Sequence, residues 1–232
     1  DKARKHFKRV YELNPQCDEA MNDLGMLCLL QGDLERAKNL IQRAIKQSPK
    51  SPNYFNNLGM VYRELARYED AQKCFENAVK ISPDFAEAQN NLGKVQIQRC
   101  EFGAGFDLSE WRWKTRQNIG TELYTSEPRW SGETDKRVLV WPEQGVGDHL
   151  MYSTLFRELQ QVCSSVVVQC DRRLKTIFER SFSGNIVFLS DHSPAEELDV
   201  DFQIPMGSLP RFFRRRLVDF KKGSVGILQA NP

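Results

Sequence analysis

Through residues 1–117 apolar side chains recur at every third and fourth position, the period at which one face of an α-helix meets a core. The pattern predicts helices over 1–14, 19–31, 34–47, 53–65, 68–81, 86–99 and 103–117. Pro15, Pro49 and Pro83 divide them, each ending a helix because proline has no amide proton to donate. Residues 118–136 lose the period, and Gly120, Pro128, Trp130 and Gly132 punctuate a polar stretch that reads as a linker. Strand and helix patterns then alternate. Arg137–Trp141 reads as a buried strand and Leu150–Val162 as a helix with Met151, Leu155, Phe156, Leu159 and Val162 on one face. Ser165–Cys170 follows as a strand, 172–181 as a helix, and Ile186–Leu189 and Val200–Ile204 as further strands. The expected fold class is therefore α + α/β, a helical array followed by a Rossmann-like parallel sheet with right-handed crossovers.

The helical half repeats itself. Leu24-Gly25, Leu58-Gly59 and Leu92-Gly93 stand 34 residues apart, as do Ala37 and Ala71, and Ala44 and Ala78. Gly25 and Gly59 are expected to let the second helix of each pair approach closely, with Leu24, Phe55, Leu58, Tyr62 and Phe75 filling the space between. These residues resemble the tetratricopeptide repeat. The resemblance implies a solenoid over 1–117, with a partial repeat (1–17), two full ones (18–51, 52–85) and a divergent one (86–117). In the last, Gly105 replaces the alanine, and Ser109 and Arg112 replace apolar residues. Such an array binds along a concave face lined by the first helix of each pair. Asp23, Asn57 and Asn91 occupy one equivalent position there, preceded by Asn22, Asn56 and Asn90. An amide donates and accepts at once, so this ladder suits an extended peptide or protein segment held by its backbone. The alternative is that asparagine is simply frequent at this position in such repeats.

In parallel sheets ligands sit beyond the carboxyl ends of the strands, which directs attention to Pro142–His149. Gly145 and Gly147 can take positive φ and bring backbone amides close to a ligand, with the next helix N-terminus favouring an anion or a developing negative charge. Asp148 suits the task of accepting a proton from a hydroxyl nucleophile. Its alternative role is that of a helix N-cap. Glu143 is either a second carboxylate of the cleft or a surface residue ending the strand, and His149 either a phosphate or acid contact or a lining residue. The dinucleotide-binding fingerprint is not met, since the third glycine and a suitably spaced acidic residue are absent.

The order of repeats, EWRW, PRWSGE, a strand, EQGVGD, CDRRL, FERSF and DFQIPMGSLP is similar to bacterial proteins that join tetratricopeptide repeats to a glycosyltransferase-like region. That region resembles the heptosyltransferase-type members of the GT-B fold. The resemblance implies that 137–223 is the acceptor-side domain, with 224–232 the first strand of a second, donor-holding domain. It also implies that Asp148 is the base, with Glu143, Gln144, Gly145, Gly147 and His149 around the substrate. A nucleotide-sugar is then the donor of the full-length protein, while this stretch binds no cofactor and is inactive alone. The acceptor is a sugar or a protein, recruited by the repeats. The second function class is an interaction scaffold whose α/β domain is not catalytic.

Composition narrows the field without choosing between these. The 232 residues carry a net charge of +2, too small to draw in nucleic acid as a whole-molecule effect. The mean hydropathy is −0.56, and no run approaches the roughly 18 apolar residues of a membrane span. Six cysteines form no CxxC pair and the three histidines are scattered, so no metal site is expected. Reduced thiols and a cytoplasmic location are the expectation. Arg211, Arg214, Arg215, Arg216, Lys221 and Lys222 read as a solvated face because Phe212, Phe213, Leu217 and Phe220 interleave at helical spacing. Gly207-Ser208-Leu209-Pro210 reads as a turn at the cleft, and Trp111, Trp113, Trp130 and Trp141 as packing between repeats and sheet. The chain starts at Asp1 within a helical pattern and stops at Pro232 after a strand-like run, so both ends are expected to be cut.

Overall fold

The computed structural model describes residues 9, 13–117, 123, 125–143, 145–190, 198–223 and 227–229. The predicted helix over 1–14, Gln144 and the strand expected at 224–232 thus lie wholly or mostly outside the described residues. The chain forms two compact units, divided between Ile119 and Gly120.

In the first unit α1 (Asp18–Leu30), α2 (Leu34–Gln47), α3 (Pro52–Glu64), α4 (Tyr68–Ile81), α5 (Ala86–Gln98) and α6 (Phe102–Ser109) form consecutive antiparallel pairs. The buried residues of α2 are Ala37, Leu40, Ile41 and Ala44, and those of α4 are Ala71, Cys74, Phe75 and Ala78, each set following the i, i+3, i+4, i+7 stripe. Asp33 caps α2, its side chain accepting from the Arg36 amide. Gly32, Ala66 and Cys100 stand 34 residues apart in the tight turn inside each pair, and all three have positive φ, at 78°, 54° and 63°.

The glycines of the repeat act as the spacing predicts. A Cβ at Gly25 would come within 2.5 Å of Ile41 Cγ1, and one at Gly59 within 2.6 Å of Phe75 Cε1. In the third pair the neighbour is backbone, with Gly105 O 2.8 Å from a Cβ at Gly93. The Gly105 that breaks the alanine pattern is therefore what lets α5 and α6 touch main chain to main chain. The helix expected over 103–117 is corrected: α6 ends at Ser109 and gives way to a 3-10 turn, Glu110–Lys114. The Ser109 hydroxyl donates to Gly105 O at 2.8 Å, a back-bond that weakens the helical ladder there.

The second unit is a parallel sheet, β1 (Arg137–Trp141), β2 (Ser165–Cys170), β3 (Ile186–Ser190) and β4 (Phe202–Pro205), in the order β3-β2-β1-β4 among the described residues. Val138 pairs with Val166 on one side and Phe202 on the other. Alternation sends Val138 and Val140 into the larger core, with Phe156, Phe178, Phe182 and Phe188, and Leu139 to a smaller cluster with Val200. The aromatic rings of the larger core lie 5.4–6.2 Å apart in tilted and edge-on pairs.

Several expectations change here. The helix expected over 150–162 is two, α7 (Val146–Ser153) and α8 (Phe156–Val162), interrupted where Ser153 and Thr154 hydroxyls donate back to the carbonyls of Leu150 and Met151. Helix α9 (Arg172–Ser181) matches its expected bounds. The stretch read as linker contributes to the sheet unit: Arg129 bridges Gln203, and Trp130 is buried against Phe212 and Phe213. Trp141 is likewise buried in this unit, while Trp111 and Trp113 lie half-buried in the first.

The basic run is not one solvated helical face. It forms a short helix, α10 (Pro210–Phe213), and a 3-10 segment, Leu217–Gly223, with Leu217 and Phe220 exposed. Arg214 is buried, and its Nη1 donates to Glu158 Oε2 at 2.9 Å.

Candidate functional site

The repeat unit presents one candidate face. Asn22, Asn56 and Asn90 are buried, while Asp23, Asn57 and Asn91, one position on, are half-buried toward solvent. Asn57 Nδ2 donates to Asn22 Oδ1 and Asn91 Nδ2 to Asn56 Oδ1, each at 2.9 Å. Asn22 in turn donates to Asp23 at 3.1 Å. The ladder thus ties each repeat to the one before it. Among the described residues only one N–H of each amide is engaged, so Asn57 and Asn91 each keep a second donor there. Asn90 Oδ1, with no following asparagine to receive from, is buried without a partner among the described residues.

Along this row the accompanying residues change character from repeat to repeat. Positions 26, 60 and 94, again 34 apart, hold Met, Met and Lys. Met26 and Met60 are half-buried and pack against the core. At the first repeat Asp18 accepts from Ser48 and from the Tyr54 hydroxyl. The Ser48 hydrogen bond holds the Asp18 carboxyl below its ordinary pKa, and burial, with the Asp18, Glu19 and Asp23 charges, pushes the Tyr54 phenol up.

The sheet unit presents the other candidate, at the carboxyl ends of β1 and β4. These neighbouring strands leave their sheet in opposite directions of chain order, the switch point where open parallel sheets hold ligands. Glu143, just beyond β1, is half-buried, and its Oε1 accepts from the Gly207 amide just beyond β4 at 2.9 Å. A Cβ at Gly207 would lie 2.7 Å from that oxygen, so the clasp requires glycine. Behind it Trp141 Nε1 donates to Gln203 Oε1 at 2.6 Å, fixing the same two strand ends.

Gly145 and Gly147 lie on this loop but do not take positive φ: Gly145 is extended at φ −77°, ψ 174°, and Gly147 is helical. A Cβ on either would meet nothing within 4 Å. Neither local conformation nor packing demands glycine there, and the bare backbone faces open space. Gly145, not Asp148, is the N-cap of α7, so the capping role of Asp148 is corrected. Asp148 sits half-buried in the first turn, where a carboxylate is favoured by the helix dipole. His149 is only 3% exposed, and its Nδ1 accepts from the Asp171 amide at 3.3 Å. That bond leaves the proton of the neutral ring on Nε2 and pins α7 to the turn before α9. Asp171 caps α9, and the Arg173 side chain, followed by the Arg173 amide, holds its carboxyl well below the usual range.

Among the residues singled out in the sequence, Glu143, Gly145, Gly147 and Asp148 are gathered at one strand end with His149 beneath them. Asp23, Asn57 and Asn91 form a separate row in the other unit. The Gly207 amide was recognisable in the sequence only as part of a turn, and its pairing with Glu143 spans 64 residues. No helix among the described residues is long and apolar enough to cross a membrane.

No curated protein matches the chain in sequence. The chain is similar in structure to the Sgt2 TPR domain from Aspergillus fumigatus (19% identity, TM-score 0.42, 44% of this chain and 68% of that one). It is also similar to a thermophilic TPR protein of Thermus thermophilus (20% identity, TM-score 0.46, 50% of this chain and 65% of that one). A third similar structure is YrrB, described as a TPR protein with an unusual peptide-binding site (18% identity, TM-score 0.44, 49% of this chain and 58% of that one). Family descriptions match over two stretches, "Tetratricopeptide repeat" at residues 1–58 and "TPR repeat" at residues 59–98. The helical pairs of the first unit, with their 34-residue period and glycine contacts, are tetratricopeptide repeats.

Proposed function

We propose that the repeat unit is a binding scaffold that holds an extended peptide or protein segment along the row Asp23, Asn57 and Asn91. The observation that carries this reading is the second N–H of Asn57 and of Asn91, unengaged among the described residues, on helices that also carry the half-buried Met26 and Met60. Main-chain carbonyls of an extended segment are the acceptors that such donors fit. A displayed library of random ten-residue peptides, sorted against the chain, tests it. Enrichment of binders whose affinity falls in Asn57→Ala and Asn91→Ala supports the reading, provided circular dichroism shows both variants folded. Absence of any binder overturns it.

A second reading concerns the sheet unit and is favoured by the bare backbone of Gly145 and Gly147 at the switch point. In this proposal the unit is the acceptor side of a GT-B glycosyltransferase, as the sequence resemblance implies. Asp148 takes the proton of an acceptor hydroxyl on a sugar or protein while that oxygen bonds to the anomeric carbon of a nucleotide-sugar. The bond to the nucleoside diphosphate breaks with its electron pair. Glu143, Gln144 and His149 line or support the loop. A bacterial source and a cytoplasmic location belong to the same proposal. Nucleoside diphosphate release by the full-length protein, measured across a panel of nucleotide-sugars, tests it, and Asp148→Asn should abolish release without altering the fold. Undiminished release by that variant overturns the assignment.

A further inference from the structure

Residues 210–223 hold six cations and one acid, with Leu217, Val218 and Phe220 set among them. In water such a segment is expected to turn its apolar side chains inward and its charges outward. The 3-10 segment Leu217–Gly223 does the reverse at its centre. Asp219 is buried at 8% exposure, while Leu217 is 62%, Val218 52% and Phe220 40% exposed. With three residues per turn, Leu217 and Phe220 share one edge and Val218 and Lys221 a second, and the third edge, carrying Asp219, faces the protein.

Two ion pairs hold the segment this way round. Arg216 donates to Asp219 from its amide at 2.9 Å and from Nη2 at 3.3 Å. The buried Arg214 pairs with Glu158 at 2.7 Å, and its guanidinium carbon lies 5.8 Å from the Phe220 ring centroid. Arg215 Nη1 donates to Arg211 O at 3.1 Å, which turns its guanidinium back beside α10. The acid is thus taken up inside, and Arg211, Arg215, Arg216 and Lys221 are exposed around the three apolar side chains.

We propose that this segment docks on an anionic lipid surface, with Leu217, Val218 and Phe220 entering the acyl boundary while the cations meet the lipid phosphates. Shape and charge both select this occupant. Arg215, Arg216, Leu217 and Val218 are four consecutive exposed residues, a protrusion rather than a groove, and a bilayer accepts a protrusion where a peptide ligand needs a concavity. Two of the three apolar side chains are aliphatic and offer no face on which a nucleic-acid base stacks. Apolar insertion and basic attraction are together the two contributions that make peripheral attachment stable. This docking requires neither of the functions proposed above.

Sedimentation of the chain with vesicles of phosphatidylcholine alone, and of phosphatidylcholine mixed with phosphatidylglycerol, tests it. The expected result is binding to the mixed vesicles, weakened by salt, and none to phosphatidylcholine alone. Leu217→Ser combined with Val218→Ser should weaken binding about tenfold, and Arg215→Gln about fivefold. All three positions are exposed, so circular dichroism should show each variant folded. Val187→Ser, which changes a 53% exposed apolar side chain of β3 outside the segment, is the control and should bind as the parent does. No binding to the mixed vesicles, equal binding to both kinds, undiminished binding by the serine pair, or an equal loss in Val187→Ser overturns the proposal. So does either alternative occupant in place of vesicles: labelled oligouridylate bound regardless of the serine pair, or a dimer in sedimentation velocity that the serine pair abolishes.

Discussion

Replacing Gly93 by alanine sets two known effects against each other. A helical glycine exchanged for alanine gains about 1 kcal/mol of propensity. The new Cβ, however, would lie 2.8 Å from Gly105 O, 2.9 Å from Ser109 N and 3.0 Å from Leu108 Cβ. At Gly25 the two nearest contacts are with the Ile41 side chain; at Gly93 two of three neighbours are main chain, so α5 and α6 must separate. Overpacking costs roughly 1–3 kcal/mol, and rigid neighbours place this site at the upper end, so the net loss is about 2 kcal/mol. Urea unfolding followed by circular dichroism reads it as a midpoint about 1 M lower at an ordinary m-value. Gly147→Ala, also helical but with nothing within 4 Å of its Cβ, is the control and should not lose stability. A Gly93→Ala protein as stable as the parent would refute the claim that main-chain contact fixes this pair.

Ala66 adopts the left-handed conformation that Gly32 supplies one repeat earlier, so Ala66→Gly should raise stability by about 0.5 kcal/mol, read as a higher urea midpoint. The Arg137 side chain, and then its amide, hold the Asp201 carboxyl down from 3.8 to about 2. Its stabilising effect is therefore full above the ordinary value and fades as pH falls through about 2. Across that window the urea midpoint of the parent should fall further than that of Asp201→Asn, and parallel declines would count against the pair. Arg214→Leu leaves Glu158 without its buried partner and should cost about 3 kcal/mol, partly recovered by adding Glu158→Leu. A double variant no better than the single would deny the coupling.

The repeat architecture was legible because its signals are local and periodic: leucine-glycine pairs, alanines and prolines at a fixed interval. The strands were legible for a related reason, since Arg137–Trp141 and Ser165–Cys170 are short apolar runs buried on both faces. Less visible were features decided by hydroxyls and by distant partners. The break between α7 and α8 depends on Ser153 and Thr154 turning back on their own helix, which an apolar pattern does not register. Burial of Arg214 depends on Glu158, 56 residues away, so five neighbouring cations gave no sign that one was different. At the strand ends, the pairing of Glu143 with Gly207 and the open space around Gly145 and Gly147 both require the fold to be in place. The asparagine row showed its spacing in the sequence, but not that each amide reaches back to the residue one place earlier in the preceding repeat.

That last bond governs how the array is able to change length. Asn57 reaches Asn22 and Asn91 reaches Asn56 across the same interval of 35 residues. Excision of residues 52–85 as a block brings Asn91 to the place Asn57 had, facing Asn22, with the turn glycine, the proline and the helix stripes still in phase. Removal of ten or twenty residues leaves a buried acceptor with nothing opposite it. Whole repeats are thus the currency in which such a chain is shortened or extended, and the unmatched Asn90 Oδ1 marks the rung at which an additional one would attach.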